Sequence, residues 1–219
     1  MVTTSSQARR RGRPPKGAAG DTKAELLAAA LRLFARHGYA GTSIRAIARE
    51  VSLSESVLYA HFGSKRAIFE AVLARLGPQS AATVLRDADP ALLDADPPGF
   101  VRALAARIMQ SWDTPEARQL ISLMSHDGLI HDPLLTGAIG AALGELAVIF
   151  ERWIGAGRID RRLGEPADLA YALIAPLAQA RLLWLHADAT AQDRRTARDQ
   201  AARHAEFFAR AVFGPAPQR

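Results

Sequence analysis

The stretch Ser43-Ile-Arg-Ala-Ile-Ala-Arg-Glu-Val-Ser-Leu-Ser-Glu-Ser-Val-Leu-Tyr-Ala-His-Phe62 decides the fold. Ile44, Ile47, Ala48 and Val51 recur at helical spacing after a Thr42 or Ser43 cap. Only Val51 to Leu53 separate this helix from a short one that Ser54 opens and that runs through about His61. Two helices joined by so short a turn form a helix-turn-helix unit. Ile44, Ile47, Ala48, Leu53, Leu58 and Phe62 supply the small core that sets the angle between them. Glu55, Ser56, Val57 and Ala60 are left on the outer face of the second helix.

Working outward, the preceding segment, about Thr22 to His37, places Leu26, Leu27, Ala30, Leu31 and Phe34 on one stripe, with Gly38 where a left-handed helix end is wanted. On the other side, Ser64 caps a helix with Ile68, Phe69, Val72, Leu73 and Leu76 inward, stopped at Gly77 and Pro78. An acidic, proline-rich stretch from Asp87 to Gly99 reads as a loop. Helices are expected at roughly 99–111, 115–126, 133–155, 166–187 and 191–213, punctuated by Pro115, Pro133, Gly155 with Gly157, and Pro166. Pro176 falls inside the fourth of these, where it bends the helix or divides it in two. The reading is therefore all-α, with a basic arm over 1–20, a helix-turn-helix head over 21–76 and a helical body over 77–219.

Charge follows the same division. The 219 residues carry a formal +6: residues 1–20 hold +5, residues 21–76 hold +3 and the rest hold −2. A positive first third on a mildly negative remainder is the footprint of a nucleic-acid-binding head. Arginine dominates the positive charge throughout, so position carries more weight than count. Cysteine is absent, which excludes disulfides, thiolate metal sites and a cysteine nucleophile, and suits a reducing cytoplasm. The apolar run around Leu169 to Ala178 is broken by Gln179 and Arg181, short of the roughly 18 residues a membrane span needs, so no membrane partner is expected.

The run Leu33-Phe-Ala-Arg-His-Gly-Tyr-Ala-Gly-Thr-Ser-Ile-Arg-Ala-Ile-Ala48, followed by Ser54-Glu-Ser-Val-Leu-Tyr-Ala-His-Phe-Gly-Ser-Lys65, closely resembles the DNA-binding head of TetR-type transcriptional regulators over about residues 22–76. The body resembles that family only in layout. Ser52 stands where the family usually has a turn glycine, and His61 where it often has tyrosine. The resemblance implies phosphate contacts by Thr42, Tyr59, His61 and Lys65, with Ser43 beside them, and base reading by Arg45, Ser54, Glu55 and Ser56. A lysine in the first turn of a helix is otherwise unfavourably placed, so Lys65 is expected to meet an anion. Arg11-Gly12-Arg13-Pro14 resembles an AT-hook core, in which Arg11 and Arg13 would enter a narrow minor groove; the alternative is a plain basic tail.

The resemblance further implies a homodimer on a pseudo-palindromic double-stranded operator, most often a repressor, released by a small-molecule effector. An architectural DNA-binding protein without a ligand is the alternative. The dimer is expected through the last two helices, where Ala197, Ala201, Ala205, Phe208 and Val212 form a stripe beside Leu169, Leu173, Leu177 and Trp184; that stripe could also face the chain's own core. Phe100, Met109, Trp112, Met124, Phe150 and Trp153 are the candidate ligand-pocket residues.

Chemistry of other kinds finds little support. His126-Asp127 and His131-Asp132 look superficially metal-like but lack further ligands at helical spacing, and Gly155-Ala156-Gly157 fails as a dinucleotide fingerprint because Asp160 stands where its third glycine belongs. Walker, zinc-protease and nucleophile-elbow motifs do not occur. No enzyme activity, metal or cofactor is expected.

Overall fold

The computed structural model describes residues 18–77, 83 and 90–214; Arg11 and Arg13 of the arm, and Pro78, lie outside the described residues. Every regular element among the described residues is helical. The head comprises α1 (Ala18–Gly41), α2 (Ile44–Glu50), α3 (Glu55–His61) and α4 (Lys65–Leu76). The body comprises α5 (Pro90–Ala95), α6 (Pro97–Trp112), α7 (Pro115–His126), α8 (Pro133–Gly155), α9 (Pro166–Trp184) and α10 (Ala191–Phe213), with short 3-10 turns at Leu129–His131 and Arg161–Leu163.

Local chemistry sets the boundaries. Ser43, Ser54 and Ser64 each accept a backbone N–H three residues on, from Ala46, Val57 and Ala67, and so open α2, α3 and α4. The α2–α3 turn closes with Ser52 N–H donating to the Arg49 carbonyl and Leu53 N–H donating to the Ala48 carbonyl at 2.9 Å. This double bond pattern needs a left-handed residue at its centre. Ser52 takes that role, with φ 57°. In the body, Pro97, Pro115, Pro133 and Pro166 sit in first turns, where the missing donor costs nothing.

Two apolar cores result. The head core centres on Leu26, Leu31, Phe34, Ile47, Leu58, Ile68 and Phe69, and runs on without a break into Leu120, Leu123 and Met124 of α7 and Leu135 of α8. The body core joins α6, α8, α9 and α10 around Phe150, Trp153, Leu173 and Leu177. The head is therefore not hung on α4 alone; α7 lies along α1 and carries head core on one side and body on the other.

Several expectations need correction. Gly38 does not end α1 as a left-handed cap: it takes φ 75° and ψ 161°, an extended break, after which one helical turn continues to Gly41. A side chain there would both strain the backbone and meet the Asp127 carboxylate at 3.2 Å. The Asp87 to Gly99 stretch is not all loop, since α5 occupies Pro90–Ala95 and Asp96 caps α6 by accepting from Gly99 N–H. α9 ends at Trp184 and passes through Pro176 as one helix. The stripe Ala197, Ala201, Ala205, Phe208 and Val212 is buried in the chain's own core beside Leu169, Leu173 and Leu177. Finally, α8 is by length and composition apolar enough to cross a membrane, 23 residues with mean hydropathy 1.7 in its most apolar window, a stretch that the apolar count around Leu169 does not anticipate. In the fold its Leu146, Phe150 and Trp153 pack in the body core.

Candidate nucleic-acid interface and interior cavity

The helix-turn-helix places α3 with one side down and the other open. Leu58 is fully buried, while Ser54, Glu55, Ser56, Val57 and Tyr59 are exposed. Arg45 on α2 and Glu55 on α3 approach to 3.7 Å while remaining 79% and 48% exposed, a solvent-screened pair free to exchange for other partners. Ser54 Oγ accepts from Val57 N–H and lies 2.8 Å from Ser56 Oγ. A shallow surface recess is lined by Thr42, Ser43, Arg45, Glu55, Tyr59 and Lys65 together with Ala40, Gly41 and Ile44. Six of the residues singled out from sequence thus share one surface; Ser54, Ser56 and the half-buried His61 lie outside its lining.

Two of those six are committed to the fold. Thr42 is only 3% exposed, and its hydroxyl donates to the carbonyls of Leu33 and Gly38, bridging the break in α1. Its side chain is therefore not a free phosphate donor. Lys65 does not wait for an external anion: its Nζ donates to the carbonyls of Tyr39 at 2.7 Å and Thr42 at 2.9 Å, and lies 4.5 Å from the centre of the Tyr39 ring. Those carbonyls close the C-terminal end of α1, where a cation is favoured. An unfavourable position on α4 becomes a favourable one because another helix ends there. Tyr39 in turn packs between Phe34 and Phe69, and partial burial pushes its phenol pKa up.

The body grips the head at one corner. Tyr39 N–H donates to the Asp127 carboxylate at the end of α7. Asp132, which caps α8 by accepting from Leu134 N–H, receives a two-pronged guanidinium from Arg66 on α4, whose Nε also meets Glu70 at 2.9 Å. The hydrogen bond from Arg66 holds the Asp132 carboxyl below the usual carboxylate range, against its burial. Asp127 and Asp132 are the acids of the two His-Asp pairs noted in the sequence. Their work is to hold the head, and among the described residues no group of three or more His, Asp or Glu is placed to hold a metal.

Beneath this corner lies a cavity of about 350 Å³ between α6, α7, α8 and α9. Ile108, Trp112, Met124, Leu146 and Ile174 form much of its wall, Gly77 after α4 reaches it, and Gln179 and Arg181 bring its polar side chains. Of the six candidate pocket residues, Trp112 and Met124 line it. Phe100, Met109, Phe150 and Trp153 do not: they are spent on the body core, where Trp153 meets Phe100, Phe150 and Phe213 edge-on at 5.4 to 5.7 Å and donates its indole N–H to the Leu93 carbonyl. Large aromatic side chains in close edge contact leave no void, so aromatic content alone points at core and cavity alike. Arg66, Asp127, Asp132 and Arg181 are the residues sequence reasoning missed as parts of these sites. A charge interrupting an apolar helical run was the one available signal for Arg181.

Residues 26–72, the three-helix unit and most of α4, match the family model described as bacterial regulatory proteins, tetR family. Over those residues the chain is similar to the tetR family. The chain is 40% identical over 68 residues to a transcriptional repressor of Streptomyces coelicolor, a match covering 31% of this chain and 35% of that one. It is 29% identical over 99 residues to a transcriptional repressor of Mycobacterium tuberculosis, covering 45% and 53% respectively. The matches thus span about a third to a half of these curated relatives. Among solved structures, a tetR-family regulator of Mesorhizobium loti superposes with TM-score 0.65 at 22% identity over 91% of this chain and 100% of that one. GusR of Salmonella enterica superposes with TM-score 0.67 at 18% identity over 89% and 96%. At these identities the likeness is one of fold, and it extends through the body.

Proposed function

We propose that this chain is a tetR-family, sequence-specific DNA-binding transcriptional regulator, a cytoplasmic homodimer that represses until a small apolar ligand releases it, and that it is not an enzyme. The observation that carries the reading is the exposed α2–α3 surface, where Arg45, Ser54, Glu55, Ser56 and Tyr59 face solvent around the recess. An arginine there favours guanine and a glutamate favours cytosine N4, while Tyr59, His61 and the Ser43 end of α2 face phosphate. Repression accords with the names of the two curated relatives.

Dimerisation is assigned to the last two helices, through the faces the fold leaves open. Tyr171 is 64% and Phe207 65% exposed, with Leu182 and Leu183 also open to solvent. Release is assigned to α7. Leu120, Met124 and Leu135 belong both to the cavity wall and to the head core, so a ligand that spreads the wall moves groups on which α1 rests. Asp127 and Asp132 convey that movement to Tyr39 and Arg66, and Gly77 gives the cavity direct access to the end of α4. A ligand acts only by favouring one head spacing over another.

Selection from random duplex DNA with the full chain tests this. A pseudo-palindrome with half-sites about 34–36 Å apart, or a multiple, is expected. Equal binding to every sequence would instead make the protein an architectural DNA binder.

A further inference from the structure

Among the charged residues of this chain, Arg181 is anomalous. It is 8% exposed, on α9 in the wall of the cavity, and it is the one charged side chain among the described residues that line it. Its sole hydrogen bond among the described residues is a long one, 3.4 Å, to the Ala117 carbonyl, and its Nε has no partner. The guanidinium lies 4.9 Å from the centre of the Trp112 ring, and Trp112 Nε1, in the same wall, is a second buried donor without a partner. Burial alone pulls the arginine pKa down to about 10, with no carboxylate offsetting it, so the charge persists at neutral pH. A buried cation with no counter-ion among the described residues is costly, and an anion in the cavity would offset that cost.

We propose that the ligand of this cavity is an apolar monocarboxylate whose carboxylate pairs with Arg181 while its hydrocarbon part lies among Ile108, Met124, Leu146 and Ile174. The proposal rests on the reading of the cavity as the effector site and names the chemistry of that effector. One positive charge with two unused donors matches one carboxylate; a phosphate dianion would leave excess negative charge in a chamber whose remaining described lining is apolar apart from the neutral Gln179.

The test uses the full-length protein and matched pairs of probes, decanoate against decanol and 2-naphthoate against 2-naphthol, titrated calorimetrically and by tryptophan fluorescence. At least one acid is expected to bind about ten to a hundred times more tightly than its alcohol, the effect of hydrogen bonds to a charged group. R181M should erase that preference, and R181K should restore part of it. The wild-type comparison needs no variant and stands whether or not R181M folds. Acids and alcohols binding equally would overturn the carboxylate assignment while leaving the cavity as an effector site. A preference that survives in R181M would place the carboxylate elsewhere and overturn the role of Arg181. If neither member of either pair binds, both the carboxylate assignment and the effector-site reading fall.

Discussion

Asp132 binds Arg66 across the boundary between body and head, its side chain 7% exposed and the arginine 41% exposed. The same carboxylate caps α8, so one acid fixes both the start of a body helix and the start of α4. A contact of this kind is stiff enough to carry movement between the two.

Removing it should loosen the head. Asp132→Asn is expected to lower stability by about 1–3 kcal/mol, the scale for losing charge-assisted hydrogen bonds. Because Asp132 titrates below its unfolded value of about 3.9, its contribution is complete above that pH and fades as pH falls through the folded value. Denaturant melts at several pH values should show wild type and variant converging below about pH 4. A gap that widens in acid would contradict the assignment.

Ser52 holds a left-handed conformation at φ 57° that costs a residue with a Cβ roughly 1–2 kcal/mol. Ser52→Gly is therefore expected to raise stability by about 1 kcal/mol, after the extra freedom of glycine in the unfolded chain is discounted. Thermal unfolding of the two proteins measures this directly. A less stable glycine variant would mean the serine hydroxyl holds a contact that the turn geometry conceals.

Lys65 is a clasp between the start of α4 and the end of α1, so Lys65→Met should lower the melting temperature of the free protein. The slope of DNA affinity against salt should hardly change, because the ammonium is already occupied. A slope smaller by about one with an unchanged melting temperature would return Lys65 to the phosphate backbone.

Adjacent phenylalanines on α10 should behave in opposite ways. Phe208, 5% exposed, packs on Phe150, whereas Phe207 is 65% exposed. Phe208→Arg should fail to fold, and Phe207→Arg should yield folded monomers by light scattering with circular dichroism. A Phe207→Arg protein that stays dimeric would put the interface on another face.

Much of this architecture is legible in the residue order. Serine caps at 43, 54 and 64, proline first turns, and the 3.6-residue stripes of α1 and α4 are local devices, and each acts within one or two turns of itself. The exposure of Glu55, Ser56, Val57 and Ala60 was legible for the same reason, since a helix-turn-helix unit fixes its own outer face.

Partnership between distant elements was not. Lys65 reads as needing an anion until the carbonyls of Tyr39 and Thr42 are brought beside it, and Asp127 and Asp132 have no visible role until Tyr39 and Arg66 arrive. The small-residue stripe of α10 suits close approach to any helix, and only packing decides that α6 and α9 receive it. The residue order by itself determined the all-helical fold and the helix-turn-helix head, because caps, turns and apolar periods are set by neighbours along the chain. Tertiary structure alone decided which aromatics fill the core, where the cavity opens and that Arg181 is buried beside it with no counter-charge among the described residues. Burial and charge pairing depend on what surrounds a residue in space, and a stripe of side chains specifies a face without specifying its partner.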